Sequence, residues 1–121
     1  MGGRVAGGRD RDYKLVALGF AEALARRDYP TAWAMTSKQY QAVTTMEAMQ
    51  ALFEAIVPTD WKSVGPIEIG TTMESWPGQE SGDLGWVYVS IGGDVYSEAV
   101  TVVVALEDGE SRIRSVEFGR P

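Results

Sequence analysis

The sequence contains neither cysteine nor histidine. Without cysteine the chain has no disulfide framework, no thiolate nucleophile and no zinc–thiolate site, and this absence fits reducing and oxidising compartments alike. Without histidine it lacks the commonest general base at neutral pH and the commonest transition-metal ligand. No metal and no cofactor are therefore expected.

Basic residues are also scarce, with 11 lysines and arginines against 17 aspartates and glutamates and a net charge of -6. A general nucleic-acid binder needs a basic surface that neutralises phosphates, so no nucleic-acid partner is expected. A basic protein partner is compatible with this charge. No stretch approaches the ~20 apolar residues of a membrane span, so no membrane segment is expected.

With 121 residues the chain has the length of one domain that can bury a real core. Residues 1–10 are rich in glycine and lack the apolar centre of a signal peptide. They are predicted to form a flexible tail, followed by a single domain over residues 11–121. The tail is either native or the remainder of a removed leader, so the protein is cytoplasmic or exported.

A first long helix is predicted from an apolar stripe at helical spacing. Asp10 or Asp12 can cap its N-terminus, and it is expected to run to about Arg27, where basic side chains suit the negative end of the helix dipole. The stripe consists of Tyr13, Val16, Phe20 and Leu24, widened by Leu15 and Leu18.

Two further helices are predicted before the sheet. Pro30 is well placed as the first residue of a short second helix that reaches about Thr36, and residues 37–43 are predicted to be a linker or a frayed turn. Thr44 and Glu47 have capping-box spacing ahead of a third helix. The stripe of that helix and its end are Met46, Met49, Phe53, Ile56 and Val57.

The remainder of the chain has strand patterning. Apolar residues alternate over Ile67–Met73, and turn signals at Gly92–Asp94 and Asp108–Gly109 separate three further apolar runs. These runs predict an antiparallel meander over residues 84–118. The expected fold is therefore α+β, with three N-terminal helices packed on a curved antiparallel sheet of about four strands.

The two turns also predict a register, in which Leu106 pairs with Ser111 and Ile91 with Tyr96. Because side chains alternate along a strand, each face then receives a defined set. The predicted core face carries Val87, Val89, Ile91, Tyr96, Glu98, Val100, Val102, Val104, Leu106, Ile113, Ser115 and Glu117. The opposite face carries Trp86, Tyr88, Ser90, Ser97, Ala99, Thr101, Val103, Arg112, Arg114, Val116 and Phe118.

Two segments of the chain resemble the NTF2-like (cystatin-like) superfamily. The first, residues 20–37, has a helix, a break at Asp28–Pro30 and a serine stop. The second is the final hairpin over residues 103–118. The resemblance covers about residues 12–118. It implies a sheet that curls round the first helix into a cone with a cavity at its open end. It also implies a two-fold dimer through the outer sheet face. This fold hosts enzymes and binding modules alike, so the resemblance bears on fold more than on function.

Glu98 and Glu117 are the sharpest catalytic candidates, because the predicted register places them diagonally on the core face. Two acids in an apolar cavity make an acid/base couple for an isomerase or dehydratase. The alternative is that both lie at the solvated margin of the sheet. The resemblance further implies Tyr13 as the counterpart of the tyrosine of ketosteroid isomerases, but strand 67–73 offers Glu68 and no aspartate.

Two binding surfaces are predicted besides these candidates. A cavity for a small apolar ligand is expected to be lined by Phe20, Trp33, Tyr96, Val100 and Ser115. The apolar second sheet face is expected to be an interface, either of a homodimer, as the resemblance implies, or of a heterologous partner. Its predicted residues are Trp86, Tyr88, Thr101, Val103, Arg112, Arg114 and Phe118.

The preferred hypothesis is thus a non-catalytic NTF2-like domain that binds a small apolar ligand or a protein partner and dimerises through its sheet. The alternatives are an isomerase or dehydratase that uses Glu98 and Glu117, and an immunity or accessory protein whose acidic surface binds a basic partner.

Overall fold

The computed structural model describes the backbone of residues 2–120 and the side chains from Tyr13 to Arg120. Four helices precede four strands, and the strands form one antiparallel sheet in the order β1-β2-β3-β4. This arrangement confirms the predicted α+β class. The elements are α1 (Gly2–Ala25), α2 (Tyr29–Ala34), α3 (Lys38–Val43), α4 (Met46–Ile56), β1 (Ile67–Met73), β2 (Asp83–Ile91), β3 (Glu98–Glu107) and β4 (Glu110–Phe118).

The first helix starts earlier than predicted. Its backbone is helical from Gly2, whereas the sequence analysis placed a cap at Asp10 or Asp12, whose side chains lie outside the described part. The flexibility of residues 1–10 stays a prediction. In the described half of α1, Phe20 and Leu24 are fully buried as expected, but Leu15 is 64% exposed and does not widen the buried stripe.

The prediction of three helices is wrong, because part of the expected linker over residues 37–43 forms α3. Ser37 is the N-cap of this helix, and its hydroxyl accepts a hydrogen bond from the backbone N–H of Tyr40 at 3.0 Å. The ring of Tyr40 is buried and meets Trp33 edge-on. The N-cap and the buried ring of Tyr40 therefore stabilise α3, a short helix without the apolar stripe that would have predicted it from the sequence.

The fourth helix is capped one residue later than predicted. Thr45, rather than Thr44, is its N-cap and accepts a hydrogen bond from the N–H of Ala48 at 3.0 Å. Met49 and Phe53 are fully buried, which confirms the predicted stripe of this helix.

The junction between α1 and α2 depends on a non-glycine residue with a positive φ. Arg27 has a φ of 63°, and the N–H groups of Arg27 and Asp28 donate to the carbonyls of Leu24 and Ala23. This pattern is a Schellman motif, whose αL position is usually occupied by glycine. Asp28 then caps α2 by accepting hydrogen bonds from Thr31, and these bonds lower the pKa of its carboxyl.

The side chain of Arg27 also caps the C-terminus of another helix, α4. Its guanidinium donates to the carbonyls of Val57 and Pro58, at 2.9 and 3.0 Å, at the C-terminus of α4. It also lies over the ring of Phe53, 5.4 Å from the centroid. One arginine thus ends α1 with its backbone and fixes the end of α4 with its side chain.

The β3–β4 hairpin follows the predicted register only to Ile113. Leu106 pairs with Ser111 and Val104 with Ile113, as predicted. A bulge then adds Arg114, and every later residue of β4 changes face relative to the prediction. Beyond the bulge the pairs are Val103–Ser115, Val102–Val116, Thr101–Glu117 and Val100–Phe118.

The β2–β3 connection is longer than the predicted tight turn, yet the faces are preserved. Ile91 pairs with Glu98 instead of Tyr96, a shift of two residues that leaves each side chain on its predicted face. Residues 92–97 form the loop. Asp94 fastens this loop by accepting hydrogen bonds from the N–H groups of Lys62 and Ser63 and from the Ser63 hydroxyl, at 2.7, 2.9 and 2.7 Å. These bonds lower the pKa of the Asp94 carboxyl.

The core lies between the helices and one face of the sheet, here called the inner face. This face carries the fully buried residues Val87, Val89, Val100, Val102 and Val104. Helix α1 contacts all four strands from this side, and Ala17, Phe20, Ala21 and Leu24 belong to the same cluster. The small alanines let the helix approach the strands closely, so the space is filled by side chains.

We expect substitution of Gly85 to destabilise the protein, because Tyr13 occupies the space where a side chain would lie. A Cβ at Gly85 would stand 2.1 Å from a ring carbon of Tyr13, which is only 2% exposed and has little room to move. Gly85→Ala should lower the free energy of unfolding by about 1–3 kcal/mol in urea denaturation. Gly19→Ala is the control. Its Cβ would meet only Met35, at 3.7 Å, so a helix-stabilising gain of about 0.5–1 kcal/mol is expected.

At Arg27 the backbone and side-chain contributions can be separated. Arg27→Ala removes the contacts to α4 and keeps a Cβ at positive φ, so it should destabilise by about 2 kcal/mol. Arg27→Gly removes the same contacts but relieves the backbone, and should be less destabilising by about 1 kcal/mol. Chemical denaturation of both variants tests this order, and equal stabilities would contradict it.

Candidate functional site

Glu98 and Glu117, the predicted acid/base couple, lie on opposite faces of the sheet. Glu98 pairs with Ile91 and shares the inner face with Val100, whereas Glu117 pairs with Thr101 on the other face, here called the outer face. The register prediction for Glu117 is wrong because the bulge at Arg114 turns the end of β4 over. The two carboxylates therefore cannot act together in one interior cavity.

Tyr13, the third catalytic candidate, is packed in the core. Its ring is 2% exposed and covers Gly85 of β2. The absence of a side chain at Gly85 makes room for this ring, so Tyr13 fixes α1 on the sheet.

The five residues predicted to line a ligand cavity do not come together. Phe20 and Val100 are fully buried in the core, and Trp33 packs against Tyr40. Tyr96 is 49% exposed in the loop after β2, where it meets Trp61 edge-on, and Ser115 lies on the outer face. The inward orientation predicted for Tyr96 and Ser115 is wrong, since Tyr96 precedes β3 and Ser115 follows the bulge.

The outer face carries Trp86, Tyr88, Thr101 and Val103 of the residues predicted to form an interface. Trp86 pairs with Met73 and Val103 on its two sides, and Tyr88 pairs with Thr101. Neither aromatic belongs to the core cluster, which joins the helices to the inner face. Both rings are half-buried by their neighbours, and together with Met73 they form an aromatic and apolar surface that no described helix covers.

Strand β4 carries three of the predicted interface residues, and they do not all lie on the outer face. Arg112 pairs with Ala105 on the outer face, donates to the carbonyl of Ala34 and forms an ion pair with Glu110. Arg114 is the bulge residue. Phe118 was assigned to the wrong face, because the bulge directs it towards the inner side, where it packs against the core.

Arg114 reaches across the sheet to a carboxylate that the sequence analysis did not single out. It forms two hydrogen bonds of 2.7 Å with Asp83 of β2, and Glu80 lies 3.3 Å away. The side chain of Asp83 is fully buried and that of Arg114 is 15% exposed. The hydrogen bonds to Asp83 raise the pKa of Arg114, so the pair is a fixed, charged clamp at one end of the face.

The other end of the outer face contains a small hollow of about 140 Å³. Thr101 of the central strand contributes to it, and this residue pairs with Tyr88 on β2 and Glu117 on β4. We call it the outer hollow. It is lined by Trp86, Thr101, Glu117, Phe118, Gly119 and Arg120.

A second hollow of about 440 Å³ lies beside it and opens widely to solvent. Ile56, Glu98, Gly119 and Arg120 line this hollow, so residues 119–120 separate the two. Arg120 is exposed and forms no ion pair with a described residue.

Only some of the charged side chains on the outer face have an ion-pair partner among the described residues. Arg112 and Arg114 are both engaged with carboxylates of the same chain. Glu68, which pairs with Ser90, and Glu117 are exposed and have no ion-pair partner in the described part. The face therefore offers uncompensated negative charge next to its aromatic surface.

No known protein family, curated protein or solved structure matches this chain. The resemblance to the NTF2-like superfamily therefore stays a prediction. Among the residues with described side chains, no three acidic groups are arranged to hold a metal ion. No helix in the described part is long and apolar enough to cross a membrane.

We expect the Asp83–Arg114 pair to contribute measurably to stability. Asp83→Asn keeps the size of the side chain but leaves Arg114 with a neutral partner, and should lower the free energy of unfolding by about 2 kcal/mol or more. Combining it with Arg114→Met should recover part of this loss, since no buried charge then remains unpaired and Glu80 is half-exposed. Asp108→Asn is the control, because Asp108 pairs with Lys38 in an exposed ion pair and should change stability by less than about 0.5 kcal/mol.

Proposed function

We propose that this chain is a non-catalytic NTF2-like binding domain that docks a basic protein partner on the outer face of its sheet. The observation that carries the proposal is the composition of that face. It combines Trp86, Tyr88 and Met73 with the exposed carboxylates of Glu68 and Glu117, which have no ion-pair partner among the described side chains. Aromatic residues flanked by polar ones are typical of protein interfaces.

The NTF2-like part of the proposal rests on the arrangement of α1. This helix contacts all four strands of an antiparallel sheet, on the side opposite to the outer face. A sheet with a long helix packed on one side leaves its other face for association. The bulges in β1, β2 and β4 bend the strands and support the curvature that a cone requires.

The charge of the chain favours a basic partner over a second copy. The net charge is -6, so two identical chains repel each other at long range, while a basic protein is attracted. The core residues predicted to line a ligand cavity are themselves fully buried, which favours a surface function over an internal ligand. The predicted homodimer remains a competing occupant of the same face.

Site-specific photo-crosslinking in the native host tests the proposal. A benzophenone amino acid replaces Tyr88 on the outer face or, as a matched control, Leu15, which is 64% exposed on α1. We expect position 88, and not position 15, to capture a basic protein. The adduct should diminish in a variant that carries Glu68→Gln and Glu117→Gln, because the attraction is electrostatic.

Three outcomes would overturn this assignment. Capture of a second copy of the chain would assign the face to a homodimer. Equal capture at positions 15 and 88 would show no preference for the outer face. No capture at position 88 would leave the face without a partner and contradict the proposal.

A further inference from the structure

We propose that the outer hollow is a binding site for the side chain of a lysine or arginine. This inference deepens the proposed function, since it names the chemical group through which a basic partner would be recognised. It rests on the proposed function for its biological partner, but the site itself can be tested with small probes.

The size of the hollow points to a single side chain. Its volume of about 140 Å³ corresponds to roughly four or five water molecules at ~30 Å³ each, well below the ~300 Å³ at which drug-sized pockets begin. A lysine or arginine side chain is long and slender and exposes its charged end beyond an apolar stem. Such a group fits a narrow hollow better than a compact organic ligand does.

The lining has the chemistry that recognises a cation. Trp86 supplies an aromatic wall, and tryptophan is the best aromatic partner for ammonium and guanidinium groups. The carboxylate of Glu117 stands on the opposite strand of the hollow and has no ion-pair partner in the described part of the chain. Thr101, 7% exposed, contributes a hydroxyl that can accept a hydrogen bond at the floor.

Arg120 determines how the site behaves when it is empty. Arg120 lines both the outer hollow, together with Glu117, and the neighbouring hollow, together with Glu98, and these two glutamates lie on opposite faces. As a cation at the rim, Arg120 competes with an incoming lysine or arginine for Glu117. Removal of Arg120 should therefore strengthen cation binding, a direction of change that a purely structural role would not produce.

The probes are the capped tripeptides Gly-Lys-Gly and Gly-Arg-Gly, titrated into the full chain at constant ionic strength. Binding is followed by NMR through the indole N–H of Trp86 and the backbone amide of Thr101. We expect saturable shifts for both peptides and none for the peptide with norleucine in the central position, which has a similar stem and no charge.

Variants then assign the binding to the hollow. Glu117→Gln and Trp86→Leu should each weaken the affinity at least about threefold, and Arg120→Ala should strengthen it about twofold or more. Glu74→Gln is the matched control, because Glu74 is exposed, does not line the hollow and has no role in the proposed docking face, and the affinity of this variant should change by less than about twofold. Thermal denaturation of each variant verifies that it is folded.

The proposal is overturned if the lysine and arginine peptides produce no saturable shift, or if the norleucine peptide binds equally well. It is also overturned if Glu117→Gln binds like the unmodified chain. Tighter binding of Gly-Glu-Gly, lost in Arg120→Ala, would make the hollow an anion site instead. Peptide binding without a crosslinked partner would refute the proposed function alone, and a crosslinked partner without peptide binding would refute this site alone.

Discussion

The arrangement of both sheet faces depends on the pairing of Val104 in the central strand β3. Val104 is opposed by Gly85 on one side and Ile113 on the other, and a bulge stands next to each partner. The bulge in β2 lets Asp83 lie on the outer face although Gly85, two residues later, lies on the inner face. In both β2 and β4 the alternation of side chains between the two faces therefore shifts by one residue beside Val104.

This double change produces the features on which the proposals depend. On the inner side it places Gly85 under Tyr13, so that α1 can approach the sheet. On the outer side it brings Asp83 within reach of Arg114, which spans β3 to form a bidentate pair. Further along β4 it turns Glu117 outwards. The extra residues in β2 and β4 thus give the outer face two different ends. At one end Asp83 and Arg114 neutralise each other, and at the other end Glu117 is exposed.

Predictions from the sequence were correct where a pattern of apolar residues coincides with buried positions. The alternation of Val100, Val102 and Val104 predicted the core face correctly, because a shift of one residue would expose all three. The Asp108–Gly109 turn predicted the adjacent pairs of the last hairpin, since the turn acts directly on them. The stripe of α4 was also predicted, whereas its cap was placed at Thr44 because two consecutive threonines are equally suited to that role.

The failures share a physical cause. A register extrapolated from a turn assumes strict period two, and the bulge at Arg114 breaks that period. The spacing of three between Ile113 and Val116, followed by a return to two at Phe118, is the trace of the bulge in the sequence. Ion pairs such as Asp83–Arg114 leave no comparable trace, because their partners are far apart in the chain and meet only once the register is known. The candidate site was therefore less predictable than the core.

The outer face also illustrates why charge, rather than apolar area, discriminates between its potential occupants. A second copy would present its own Trp86 and Tyr88, which suits the apolar surface. It would also bring further carboxylates to an end where Glu68 and Glu117 have no ion-pair partner among the residues that the structure describes. Like charges at the same site oppose association, and pairing them with a cation removes that cost. The two arginines of the face cannot supply this cation, because Asp83 and Glu110 already engage them. A lysine or arginine of another molecule would supply this charge in competition with Arg120, and the outer hollow is where the aromatic wall and the carboxylate of Glu117 coincide.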